Sequence, residues 1–257
     1  MKINTNVGAL GASRNLFLNN IATESSMRKL SSGLRISRAA DDAAGLSIAN
    51  KLRTQSRSLV QASNNARQGN AMLQIAEGAT STIQRILERQ KELIVQREST
   101  ANNGTVTATL GAEITTLQAE ATRIQAATNF QGSSVFGAAL RFQVSDTGAA
   151  EGSFTVSTNL AYTAIAAAST IADVDTALDT VNSTLASIGA AQNRLDYTVE
   201  NLKNSIVNVR AAESSIRDVD MADEMAQFTK SNVLSQAATA MLSQANQSSQ
   251  GILSLLR

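Results

Sequence analysis

The chain of 257 residues contains no cysteine, no histidine, no proline and no tryptophan. Without cysteine or histidine it has no disulfide, no thiol nucleophile, no imidazole base and none of the usual zinc or haem ligands. The missing cysteine fits a cytosolic protein or one exported without oxidative folding. Aromatic residues make up only 3% of the chain, too few for the thick core of a compact globular enzyme. Neither sign of charge dominates: 22 basic and 21 acidic residues leave a formal charge of +1. No strong field therefore draws the chain to nucleic acid or to an anionic membrane. No apolar run approaches the ~18 residues of a membrane-spanning helix. The opening Met1-Lys2-Ile3-Asn4-Thr5-Asn6-Val7 lacks the apolar stretch of a secretory signal. No phosphate-binding glycine motif follows a strand-like run, and no cofactor is expected.

What the sequence does have is helical periodicity in an Ala-, Ser-, Thr-, Asn- and Gln-rich background. Val174, Val181, Ile188, Leu195, Leu202, Val209 and Ile216 recur at every seventh position. Leu178, Leu185, Gln192, Val199, Ile206 and Glu213 follow the first six at four places' distance. This coiled-coil seam predicts a single helix, roughly 65 Å long at ~1.5 Å per residue, that needs partners alongside it. Met72, Ala76, Ala79, Ile83, Ile86, Gln90 and Leu93 predict a second seam. Leu110, Ile114, Leu117, Ala121, Ile124 and Thr128 predict a third. Between these two, Asn102-Asn103-Gly104 reads as a tight turn, which makes their helices antiparallel neighbours.

The ends carry thinner stripes. Ile3, Val7, Leu10, Phe17 and Ile21 share one, broken by Arg14. Leu234, Ala238, Met241, Ala245, Ile252 and Leu255 share another, broken by Ser248. Neither helix buries enough alone to offset its ordering entropy, so the two should pair with each other and with copies from other chains. Between Phe130 and Leu160 the period changes to two. Leu140 to Val144 and Ser153 to Ser157 read as strands joined around Asp146-Thr147-Gly148, a hairpin whose apolar face lies on the helices. Ala161 to Ile171 carries no clear pattern.

Gly33 is placed to stop a helix and Asp41-Asp42 to start the next by capping free amides. Asp218 and Asp220 break the long seam and are placed to cap the terminal helix. None of these carboxylates predicts a metal site. The cluster Asp218, Asp220, Asp223 and Glu224 lacks the ligand number and glycine turn of a calcium loop. The basic strip of Arg35, Arg38, Lys51, Arg53 and Arg57 lacks interleaved aromatics, so no nucleic-acid partner is expected. The physics points to a mainly α structural protein that self-associates through long antiparallel helices in a coiled-coil rod, with a small β-hairpin region and paired terminal helices.

Several motifs add a resemblance. Leu30-Ser31-Ser32-Gly33-Leu34-Arg35-Ile36 with Ala40-Asp41-Asp42-Ala43-Ala44-Gly45-Leu46 resembles the N-terminal signature of bacterial flagellins. So do Gln74-Ile75-Ala76-Glu77-Gly78-Ala79, Glu92-Leu93-Ile94-Val95-Gln96 and Asn129-Phe130-Gln131-Gly132, where the family often has Asn for Gln131. Toward the other end, Arg194-Leu195-Asp196-Tyr197, Ile216-Arg217-Asp218-Val219-Asp220-Met221-Ala222 and Ala240-Met241-Leu242-Ser243-Gln244-Ala245-Asn246-Gln247 are similar too.

The resemblance implies a filament subunit of the bacterial flagellum. Residues 1–39 and 220–257 would form a terminal coiled-coil domain, the inner tube of the filament. Residues 40–219 would form a helical rod with its β-hairpin region near 130–160, with no variable outer domains. It implies an extracellular protein exported through a type III channel without a cleaved signal. Its partners would be other copies of itself, an export chaperone, the filament cap and the hook-junction proteins. It also implies recognition by the host Toll-like receptor for flagellin, through residues that fall by motif on Arg89, Leu93 and Glu113. Here Gln90-Lys91 stands where the family motif has Val-Arg. The alternative reading is a hook–filament junction protein. An enzyme carried on such a scaffold would need a catalytic insert with metal ligands, and this chain has neither insert nor histidine.

Overall fold

A computed structural model describes residues 6–99, 103–137, 139–147 and 152–255. The order of elements is α1 (Val7–Ser32), α2 (Ala43–Arg97), α3 (Gly104–Ala127), β1 (Asn129–Phe130), β2 (Ser133–Ser134), β3 (Ala139–Gln143), β4 (Ser153–Ser157), α4 (Ile171–Arg217) and α5 (Met221–Leu255). The chain forms two compact units. One comprises residues 1–54 and 209–257, the other residues 55–208.

The second unit holds the main apolar core. Leu73, Ile83, Leu87 and Ile94 of α2 are fully buried with Ile114 of α3 and Val174, Val181, Ile188 and Leu195 of α4. Three polar contacts fix α2 and α4 as antiparallel neighbours. Lys91 pairs with Asp175, Gln192 donates to Glu77, and Asn70 donates to Asp196. All three seams read from the sequence run through this core, with one shift. On α4 the buried companions of Val174, Val181 and Ile188 are Ala177, Thr184 and Ala191, each one place before the expected leucine or glutamine. Leu178, Leu185 and Val199 pack at the margin. Small side chains at the centre let the helices approach closely, and the leucines close the flanks.

The hairpin forms as expected. β3 and β4 pair antiparallel, with Phe142 level with Phe154 and Leu140 with Val156. Phe154 and Val156 are buried, while Leu140, Phe142 and Val144 pack partly buried against the helices. Arg194 of α4 lies over the Phe154 ring, 4.6 Å from its centroid, a cation–π contact. Gly69 of α2 makes room for Phe142, since a Cβ there would sit 3.0 Å from the ring. Gly148 of the connecting turn lies outside the described residues.

A second, two-residue hairpin joins β1 to β2. Its turn residues Gln131 and Gly132 have φ of 51° and 81°, the two left-handed seats that primed turns demand. Asn occupies such a seat more readily than Gln.

Residues 158–170, which hold most of the patternless stretch from Ala161 to Ile171, form an irregular segment pressed onto the core. Leu160 and Ile165 are buried. Arg97 anchors the segment by donating to the carbonyls of Ala167 and Ser169. Thr170 and Asp173 then open α4 as a reciprocal capping box: Thr170 N–H donates to Asp173 Oδ2 at 2.7 Å, and Asp173 N–H to Thr170 Oγ1 at 3.4 Å. Asn103 caps α3 by accepting from Val106 N–H at 3.0 Å; Asn102 lies outside the described residues.

Candidate self-assembly and receptor-contact surfaces

In the first unit α1 packs on α5. Asn6 Nδ2 donates to the Ala245 carbonyl at 3.0 Å, Ser235 Oγ donates to Asn20 Oδ1 at 2.8 Å, and Lys29 Nζ lies 3.5 Å from Glu224 Oε2. The residue numbers fall on one helix as they rise on the other, so the pair is antiparallel.

The seam between the helices is not the stripe the sequence suggested. On α1 the partly or fully buried series is Ala9, Ala12, Leu16, Asn19, Thr23, Ser26 and Leu30. On α5 it is Glu224, Phe228, Ser231, Ser235, Ala238, Leu242 and Ala245. Both have coiled-coil spacing, but most seats are small or polar. Of the expected α5 stripe, Ala238 and Ala245 belong to the seam. Val7 (70% exposed), Leu10, Phe17 (64%), Ile21, Leu234 and Met241 (63%) all point outward. Leu18, Met27 and Val233 join them. Ile3 lies outside the described residues, and so do the side chains of Ile252 and Leu255.

The hinge between these helices and the neighbouring ones is held by backbone and caps. α1 ends on Gly33, left-handed at φ 69°, whose N–H reaches the Lys29 carbonyl. Leu34 then bridges Asp218, with Arg35 N–H donating to Arg217 O at 2.7 Å and Val219 N–H to Gly33 O at 3.1 Å. The two adjacent aspartates divide the work expected of them. Asp42 caps α2, accepting from Gly45 N–H at 2.9 Å. Asp41 instead staples the preceding turn, accepting from Arg38 N–H at 2.9 Å and from Ser37 N–H at 3.1 Å. Those backbone donors, Arg38 first, hold the Asp41 carboxyl below an ordinary aspartate's 3.8. Asp220 caps α5 through Ala222 N–H at 2.9 Å. Asp218 does not cap α5; it accepts from Ser214 Oγ at 2.7 Å and closes the end of α4. Gly45 has no room for a side chain, because a Cβ would meet Ile36 Cδ1 at 2.8 Å as well as the capping carboxylate.

In the second unit the structure brings Arg89 and Glu113 together on the surface. Arg89 Nη1 lies 2.8 Å from Glu92 and Nη2 lies 3.4 Å from Glu113. These acceptors, Glu92 first, tighten the guanidinium's hold on its proton. Leu93 is elsewhere: it is 1% exposed, a core residue beneath the patch. The expectation that it offers its side chain to a partner is corrected accordingly. At this depth the core takes Ile83, Leu87, Leu93 and Ile94 of α2. Gln90 beside it is also fully buried, its Nε2 donating to the Ile114 carbonyl at 3.0 Å. That bond ties α2 to α3 next to Glu113. Among the described residues, no group of three or more potential ligands is placed to hold a metal ion, and no helix is long and apolar enough to cross a membrane.

A mainly helical chain whose two ends pair through a thin seam while presenting large apolar residues outward has the design of a subunit that associates side by side. Comparison with known proteins gives the same class. Residues 3–139 match the family model of the bacterial flagellin N-terminal helical region, and residues 171–256 that of the C-terminal helical region. The chain is 42% identical to a flagellin of Halalkalibacterium halodurans and 41% identical to one of Bacillus subtilis, each match covering 100% of both chains. It is 39% identical, again over all of both chains, to a flagellar filament 33 kDa core protein of Treponema phagedenis. Crystalline Bacillus cereus flagellin matches 54% of this chain and 88% of its own with 27% identity and a TM-score of 0.46. The chain belongs to the bacterial flagellin family. It is a structural protein and not an enzyme, a subunit of the homo-oligomeric, extracellular flagellar filament.

Proposed function

We propose that neighbouring copies in the filament bury the outward stripes of the α1/α5 pair, with Val7, Leu10, Phe17 and Ile21 on one helix and Leu234 and Met241 on the other. The observation that supports this is the distribution of side chains on the pair: most of the large apolar ones face out, and most seats facing in are small or polar. Exposed apolar surface of this extent marks an interaction site. Copies related by a repeating, non-closing operation build a helical polymer. Before assembly the same stripes need cover, and an export chaperone is a fitting occupant; cap and hook-junction proteins would meet them at the filament ends. Phe17→Ser should leave the melting temperature of the single chain within about 2 °C, since Phe17 is exposed, and should abolish or slow seeded polymerisation at least tenfold. Normal polymerisation by this variant would refute the assignment.

The resemblance also assigns a receptor-contact role to Arg89 and Glu113. Both are exposed and lie side by side on adjacent helices, while Leu93 acts only by holding the surface up from below. Arg89→Ala should lower signalling through the host Toll-like receptor for flagellin at equal protein concentration, with unchanged helix content by circular dichroism. Undiminished signalling by the variant would remove the residue from the contact.

A further inference from the structure

We propose that Lys29 and Glu224 form the register-determining pair of the terminal helices, selecting the one alignment in which α1 and α5 close. The inference concerns the pairing of the two ends within one chain and does not depend on the filament or receptor readings.

Half of the α5 seam discriminates weakly between alignments. Its seats Ser231, Ala238 and Ala245 recur every seventh position and are nearly alike in size, and sliding α5 by one heptad would present much the same series to Leu16 and Ala9. The other half, Phe228, Ser235 and Leu242, changes in size on sliding, and the polar contacts add a discrimination by charge. α5 carries only two acidic residues, Asp223 and Glu224, both in its first turn. On α1 the other late cation, Arg28, is held within its own helix by Glu24 at 2.9 Å. Lys29 and Glu224 are thus left for each other, and among the described residues theirs is the ion pair that crosses between the two helices.

Their side chains are 28% and 13% exposed, so water and salt screen the pair less than a surface one. Position strengthens it further. Lys29 lies in the last turn of α1 and Glu224 in the first turn of α5, where the helix dipoles favour a cation and an anion respectively. A slip of α5 by one heptad toward the start of α1 would carry the Glu224 carboxylate level with Ala22, where no cation stands in place of Lys29. A slip the other way is opposed by the hinge, where Leu34 is already bridged to Asp218.

The chain has no native cysteine, so register is readable by cross-linking. Asn20 and Ser235 touch in the observed alignment at 2.8 Å, and Phe228 lies one heptad before Ser235. Asn20→Cys/Ser235→Cys and Asn20→Cys/Phe228→Cys, in the full-length chain, report the native register and the slip toward the start of α1 under mild oxidant, free in solution and after seeded polymerisation. With Lys29 and Glu224 in place the native pair should close and the slipped pair should not. Glu224→Lys should slow native closure about tenfold, Glu224→Gln should slow it less, and Lys29→Glu/Glu224→Lys should restore most of the rate. The proposal is overturned if Glu224→Gln and Glu224→Lys both close the native pair at the original rate. It is also overturned if the charge-swapped variant stays as slow as Glu224→Lys at equal helix content, or if native closure is absent in both states.

Discussion

At the scale of single residues, polar atoms aimed at free backbone groups govern where helices begin and end. Asp42, Asp220, Asn103 and Thr170 each satisfy amides that a helix start leaves open. Asp41 has a consequence for pH. Backbone N–H groups favour its charged form in the fold, so its contribution is fully present above an ordinary aspartate's 3.8 and is lost as pH falls through its lower folded value. Asp173, held down in the same way by Thr170, acts in the same direction. Asp41→Asn should therefore flatten the fall in melting temperature between about pH 5 and about pH 2.5 relative to the parent chain. An equal fall in both proteins, measured by circular dichroism, would show that Asp41 is not linked to folding.

The caps at Asp42 and Asp220 were legible in the sequence, because short polar residues before an apolar period have few other uses, whereas Asn103 read there only as part of a turn. The division of labour between Asp41 and Asp42 was not legible. Both satisfy the pattern, and only the path of Ser37 and Arg38 decides which carboxylate faces the helix. The Thr170–Asp173 box was also present in the sequence as a signal, but the Ala-rich stretch before it concealed the start of α4.

At the scale of elements, legibility followed side-chain size. The α2 and α4 seams were readable because Leu, Ile and Val recur along them among the smaller buried residues. The α1/α5 seam was not, because Ala, Ser, Asn and Thr take most of its seats among a few large ones such as Leu16 and Phe228, and more of the large apolar residues lie on the opposite side. A periodicity argument finds the most apolar stripe, and on these two helices that stripe faces away from the partner in the same chain. Leu93 illustrates the reverse: its motif suggested a surface role, and the core claims it.

Glycines on α2 give a test of packing at this scale. Gly69→Ala would push a Cβ to within 3.0 Å of the Phe142 ring and should destabilise the fold by about 1–3 kcal/mol. Gly78→Ala on the same helix meets nothing within 4 Å and should stabilise the single chain by up to about 1 kcal/mol, the gain in helix propensity. Denaturant titrations of both variants should give opposite signs. The same sign for both would mean that Phe142 does not rest on Gly69.

At the scale of the whole molecule, the composition and the fold tell one story. With 3% aromatic residues and no histidine or cysteine, the chain has little with which to build a reactive site and much with which to pack helices closely. Its apolar surface is divided between a buried core in residues 55–208 and exposed stripes on the paired ends. Among the described residues the second portion has no partner within one chain, and the central claim is that other copies supply it.

Met241 gives the most direct test, because its thioether is 63% exposed in the single chain and oxidises readily when solvent reaches it. Seeded polymerisation followed by electron microscopy and brief peroxide treatment, with Met241 sulfoxide quantified by mass spectrometry, compares the free chain with the polymer. The account predicts long filaments in which Met241 oxidises at least about tenfold more slowly than in the free chain. Filaments in which Met241 oxidises as fast as before, or a chain that does not polymerise on seeds, would contradict it.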